Sequence, residues 1–242
     1  MEPPALLAIS ASAALLLTAC DPAEKTAGTA LPPDAAATER TDIPLLPART
    51  GDTWRYTVRL EIPADVTSPG AAEVDTTYPR TRTYLGKISP ADGLPETDCF
   101  EIVVPGSPAE REFVEIHDDK ILMRGSMIMR PETTRPMWLD HAVPFVAAGM
   151  KAGRGSPEIQ ADGGSLSRKT QVVGRESLTV PAGTFPTIHL LMTGMDGQLE
   201  LRRAIWFAPG TGIVREEKSR SRNGKLIFRE TQQLVETSLK PR

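Results

Sequence analysis

Cysteine is nearly missing from this chain of 242 residues, which has two, Cys20 and Cys99. Two cysteines allow at most one intrachain disulfide, so the fold must be held mainly by burial and backbone pairing. Histidine is almost as scarce: His117, His141 and His189 stand in separate segments, none with a second His or Cys at ligand spacing. The carboxylates beside them, Asp118, Asp119 and Asp140, complete no metal-ligand motif, so neither a metal nor a cofactor is expected. Positive charge is not in excess either. With 28 Lys and Arg against 31 Asp and Glu, the net charge of −3 supplies no global basic field for nucleic acid. The nucleophile patterns Gly-x-Ser-x-Gly and Ser-x-x-Lys do not occur, and Gly210-Thr211-Gly212 is not followed by the Lys-Thr/Ser pair of a phosphate loop. No catalytic residue is assigned, and an enzyme is not expected.

Helical periodicity is also lacking, and prolines interrupt most windows long enough to hold a helix. What the chain has instead is alternation. Trp54, Tyr56, Val58, Leu60 and Ile62 alternate with Thr53, Arg55, Thr57, Arg59 and Glu61, the period of a strand with one buried face. From Val172 to Val235, five extended runs are separated by turn signals at Pro181-Ala182-Gly183, Asp196-Gly197, Pro209-Gly210-Thr211-Gly212 and Asn223-Gly224. Tight hairpins make sequential strands antiparallel, so this third is predicted to be a meander. Weaker strands are expected at 76–88, where Pro79 points to a sheet edge, and at 99–104, 112–116 and 121–129. Between Arg130 and Gly164 the pattern dissolves into a long irregular crossing. The prediction is an all-β, mainly antiparallel fold of about nine or ten strands in one strongly curved open sheet or half-barrel, with a β-sandwich as the alternative.

The first residues do not belong to that domain. Ala5 to Ala19 is an uncharged run, too short to span a bilayer comfortably and suited to the apolar region of a signal peptide. It ends in Leu17-Thr18-Ala19-Cys20, which resembles the bacterial lipobox. That resemblance implies cleavage before Cys20, acylation of its thiol and new amino group, and a membrane anchor in the cell envelope, with the domain facing the periplasm or the cell exterior. The next residues are rich in Ala, Pro, Thr, Asp and Glu and cannot bury enough apolar surface to offset chain entropy. The division is therefore a signal peptide over 1–19, the lipidated cysteine and a disordered tether over 20–46, and a single β domain over 47–242.

Two further stretches carry a resemblance. Val173 to Phe185 and Trp206 to Val214, with Gly51-Asp52-Thr53-Trp54 ahead of the first strand, look like a signature of uncharacterised bacterial envelope proteins. Those families are similar in fold to the LolA/LolB lipoprotein carriers, half-barrels wrapped around an apolar cavity. The quoted residues are turn formers and core aromatics, so the resemblance implies a fold and carries over no catalytic residue.

Three sets of residues remain as candidates. Ile121, Met123, Met127 and Met129 fall on one strand face, and flexible thioethers serve either a surface for variable apolar guests or a gap-filling core. Lys218, Arg220 and Arg222 share a face of the last hairpin, as a solvated strand guarded against edge pairing or as a contact for anionic headgroups or an acidic partner. Cys99 lies in an apolar run beside Asp98 and Glu101 and reads as a small buried hydrophobe. Two functions fit: a module binding a lipid or other apolar ligand in the half-barrel, or an envelope interaction module with a filled core and no ligand, engaging an envelope protein. They differ in whether the concave face is packed by its own side chains.

Overall fold

A computed structural model of the chain describes residues 44–133, 135–155, 159–161 and 166–239. The expected signal peptide, Cys20 and most of the tether lie outside these residues. Twelve strands form one antiparallel sheet: β1 Thr53–Ile62, β2 Val74–Ile88, β3 Thr97–Val103, β4 Glu110–Ile116, β5 Lys120–Ile128, β6 Met137–Ala147, β7 Ile159–Ala161, β8 Leu166–Val180, β9 Gly183–Asp196, β10 Leu199–Ala208, β11 Gly212–Arg222 and β12 Lys225–Thr237. The order across the sheet is β6-β5-β4-β3-β2-β1-β12-β11-β10-β9-β8-β7. Every strand thus pairs with its sequence neighbours, except that β1 closes on β12 while β6 and β7 form the two edges. So long a sheet curls under its own twist, and the result is a nearly closed barrel rather than a sandwich of two sheets.

The predicted turns account for the second half of the barrel. Asn223 and Gly224 have φ of 52° and 73°, the paired left-handed conformation of a two-residue hairpin between β11 and β12. Four hairpins in succession leave β8 to β12 no freedom but a meander. In the first half, Pro79 lies in a strand flanked on both sides, against expectation. Thr57 on β1 is its partner, whereas β3 pairs with β2 only from Thr81 onward. The missing N–H therefore falls where β2 has a single neighbour.

The segment predicted to be an irregular crossing contains the two strands that sequence patterning misses. β6 is eleven residues long and holds Pro144 opposite Leu122; as an edge strand it tolerates a residue without a donor. The chain then passes from one sheet edge to the other. Arg175 donates to the Ala148 carbonyl at 2.6 Å, Gly153 N–H donates to Val172 at 2.9 Å, and Gly155 bridges Gln171.

Inside, the fully buried side chains include Trp54, Phe100, Phe207, Ile188, Leu190, Ile205 and Leu234. Leu45 and Leu46, which the sequence reading gives to the tether, belong to this core, 1% and 4% exposed. They plug one end of the barrel, with Leu45 N–H bonded to the Asp118 carbonyl and the Leu45 carbonyl to Gly210 N–H. At the same end the β8–β9 turn folds inward, and Ala182 N–H donates to the Leu234 carbonyl.

Gly125 on β5 marks a close approach in the wall. A Cβ there would lie 2.3 Å from the Met137 carbonyl oxygen and 3.1 Å from the Trp138 ring. Gly125→Ala must therefore push β6 off β5, and a loss of about 1–3 kcal/mol is expected for overpacking against backbone. Urea denaturation of the variant, monitored by tryptophan fluorescence, measures it; an unchanged midpoint would mean that the β6 edge is loose.

Candidate functional site

The strand phase set by the apolar core decides where the charges go. Residues opposite one another on neighbouring strands share a face. Trp54, Tyr56 and Val58 point inward, and their partners on β2 are Arg82, Arg80 and Tyr78. On β12, the inward Leu234 is followed in phase by Gln232 and Glu230, and on β11 the inward Val214 by Glu216 and Lys218. A strongly polar layer therefore crosses the middle of the barrel interior.

It is paired nearly throughout. Arg80 holds Glu230 through both ends of its guanidinium at 2.8–2.9 Å, and also donates to Gln232 at 2.7 Å. Tyr78 donates its hydroxyl to Glu230 at 2.8 Å. Arg82 bonds Glu112 at 2.9 Å while lying 3.8 Å from the centroid of the Phe100 ring. Arg203 binds Glu216, which also accepts from Gln232 at 2.7 Å. Lys218 lies 3.6 Å from Glu216 and 3.8 Å from Glu230. Counting Glu110, whose carboxyl feels Glu112, Lys218, Arg80 and Arg203, four cations meet four carboxylates.

The electrostatics follow from that arrangement. Burial alone would raise the Glu230 carboxyl, but Lys218 and Arg80 outweigh it and bring it down to about 2. Burial likewise opposes ionisation of Glu112, and Arg82 and Arg203 reverse it, leaving the carboxyl below its ordinary value. Glu110 has no such close partner, so burial and the neighbouring Glu112 push it up.

The candidate residues separate. Met123 pairs with Val114 and packs against the core, but Phe113 pairs with Gly125, so Arg124 is an extra residue in β5. This bulge reverses the phase, and Met127, opposite Arg111, lies on the outer face. The expected single methionine face is thus broken: Ile121 and Met123 are core, Met127 is on the other side, and Met129 follows the end of the strand, its N–H bonded to the Ala109 carbonyl. Lys218, Arg220 and Arg222 do share a face, but it is the interior one, on a strand flanked by β10 and β12. Lys218 belongs to the ion layer. Arg220 and Arg222 line a pocket of about 210 Å³ at the open mouth, together with Ile62, Val66, Leu199 and Phe228. Cys99 is fully buried, and burial pushes its thiol up to about 12, far from a reactive thiolate.

The histidines remain apart, and among the described residues no three His, Cys, Asp or Glu side chains gather in metal-holding geometry. His189 has a neighbourhood that the sequence did not suggest. Its ring stacks on Trp206 at 4.3 Å, its Nδ1 lies 3.1 Å from Glu176 Oε1, and Trp206 Nε1 donates to the same oxygen at 2.6 Å. Burial holds the imidazole below its usual value despite Glu176.

No protein-family model matches the chain, and no curated protein does. Two solved structures resemble it. One, from Bacteroides fragilis, is described as a candidate exported protein with a YmcC-like fold; it is 12% identical, with a TM-score of 0.45, over 81% of this chain and 99% of its own. The other, from Parabacteroides distasonis, is described as a candidate lipoprotein; it is 11% identical, with a TM-score of 0.45, over the same shares of the two chains.

Proposed function

We propose that this chain is a membrane-anchored interaction module of the cell envelope, a filled barrel that works through its surface. The observation that carries this reading is the packing of the concave face. Trp54, Phe100, Phe207 and their neighbours occupy one part of the interior, and the balanced ion layer occupies the middle. A lipid entering there would have to displace buried ion pairs and leave charges without partners, at a cost of several kcal/mol. The mouth pocket of about 210 Å³ is smaller than the roughly 300–1,000 Å³ usual for small-molecule sites. The anchor rests on Leu17-Thr18-Ala19-Cys20, and a tether ahead of the domain gives the barrel reach above the membrane.

Native mass spectrometry distinguishes this from the apolar-ligand reading. The chain carrying Cys20→Ser, exported and purified without detergent, is expected to show the mass of the polypeptide alone. A reproducible adduct that dissociates as a lipid would overturn the proposal and reinstate a carrier.

A further inference from the structure

The face of the sheet opposite the core carries a second charged feature. β1, β2, β10, β11 and β12 curve so that their outward residues line a groove of about 600 Å³. Its walls hold Arg59, Arg202, Arg215 and Arg229 against Glu61 and Glu217, on a protein whose net charge is −3. Two of these cations are already engaged: Arg59 with Asp75 at 2.7 Å, and Arg215 with Glu217. Arg202 and Arg229 are exposed, and neither has an ion-pair partner among the described residues. The register places them on either side of Ser219, one strand away in each direction. Their backbones are therefore about 10 Å apart, a span that two arginine side chains close from both sides.

We infer that this groove binds a phosphoryl group, held between Arg202 and Arg229 over the Ser219 hydroxyl. Guanidinium forks present paired N–H donors matched to phosphate oxygens, and the hydroxyl supplies a further donor between them. Thr57, Thr77, Thr231 and Gln233 continue the polar lining, and Ala204 is the one aliphatic residue there. The site therefore takes a phosphate-bearing headgroup or soluble phosphoester and offers nothing to an acyl chain. It does not depend on whether the barrel interior is empty of guests.

The test uses the chain carrying Cys20→Ser, so that no acyl anchor carries it to a bilayer, at low salt with two probes, inorganic pyrophosphate and vesicles of phosphatidylglycerol in phosphatidylcholine. Trp206 reports the titration, because the Arg215 guanidinium lies 5.1 Å from its ring at the edge of the groove; calorimetry and vesicle sedimentation check it. Saturable binding that weakens with added salt is expected. The Arg202→Gln/Arg229→Gln double variant should bind about tenfold more weakly or worse, with its melting temperature unchanged because both side chains are exposed. Binding of both probes supports a site for the phosphoryl group itself, and binding of vesicles alone identifies a lipid headgroup as the source. Binding of neither, or equal binding by the double variant, overturns the inference.

Discussion

Arg80→Ala is expected to destabilise the protein by about 3–5 kcal/mol, because it strands Glu230 inside the barrel without its main partner. Arg80 and Glu230 are 13% and 11% exposed, so water cannot replace the lost bonds. That loss is a large part of the roughly 5–15 kcal/mol typical of a folded domain. The double variant Arg80→Met/Glu230→Met removes both charges at similar volume and should recover most of it, since an apolar pair incurs no desolvation penalty. Urea midpoints of the three proteins measure the difference. A loss under about 1 kcal/mol in Arg80→Ala would mean that the ion layer is solvated.

The same layer makes the barrel sensitive to acid. Glu230 is depressed from its ordinary 4.5 to about 2, so its contribution is complete above about pH 4.5 and is lost as pH falls toward 2. The shift corresponds to about 3 kcal/mol. Glu112, also depressed, acts in the same direction. Glu110 opposes them: its carboxyl is raised, so protonation in the folded state relieves part of the burial cost as pH falls. Stability is therefore expected to fall between about pH 4.5 and 2, and Glu230→Gln should flatten that decline while lowering stability at neutral pH.

Trp54→Ala is expected to cost about 3–5 kcal/mol and to loosen the plugged end of the barrel. The indole is 1% exposed, meets Phe100 edge-on at 5.7 Å, and donates Nε1–H to the Thr211 carbonyl at 2.7 Å. Nearby, Tyr56 donates its hydroxyl to the Ile213 carbonyl at 3.0 Å. Two side chains of β1 thus reach across β12 and fix the turn between β10 and β11. Gly212 makes room for them: its φ is 104°, and a Cβ there would lie 3.2 Å from Leu46 and 3.6 Å from the indole nitrogen. Trp54→Phe keeps most of the packing and loses the donor, leaving the Thr211 carbonyl unpaired, at a cost of about 1–3 kcal/mol. Thermal unfolding followed by circular dichroism orders the variants as wild type, Trp54→Phe, Trp54→Ala. Equal melting temperatures for wild type and Trp54→Ala would show that the plug adds nothing.

Gly51 to Trp54 and Trp206 to Val214 are distant in the chain, yet Trp54 and the Pro209 to Gly212 turn form one joint. There a ring, a left-handed glycine and two carbonyls fit together where β1 closes on β12.

The ion layer was present in the sequence as unbroken alternation. Val214, Glu216 and Lys218 continue one phase, as do Leu234, Gln232 and Glu230. Read alone, polar residues toward a hairpin tip look solvated, because a strand with water on both faces and one crossing a polar interior have the same composition. The error about Met123 and Met127 has another origin. A bulge at Arg124 inserts one residue; Gly125 beside it is a local sign in Ile121 to Met129, but the change of phase is fixed by pairing with Phe113 and Val114 on β4.

By itself, the sequence determined the all-β class, the meander of β8 to β12 and the inertness of Cys99. Turn chemistry and period-2 alternation act over a few residues and are legible there. Tertiary structure alone decided that β1 meets β12, that Leu45 and Leu46 plug the barrel, and that Arg80 finds Glu230, a pair 150 residues apart. Which of two chemically suitable partners a side chain meets depends on the register and phase of strands that the chain brings together only on folding.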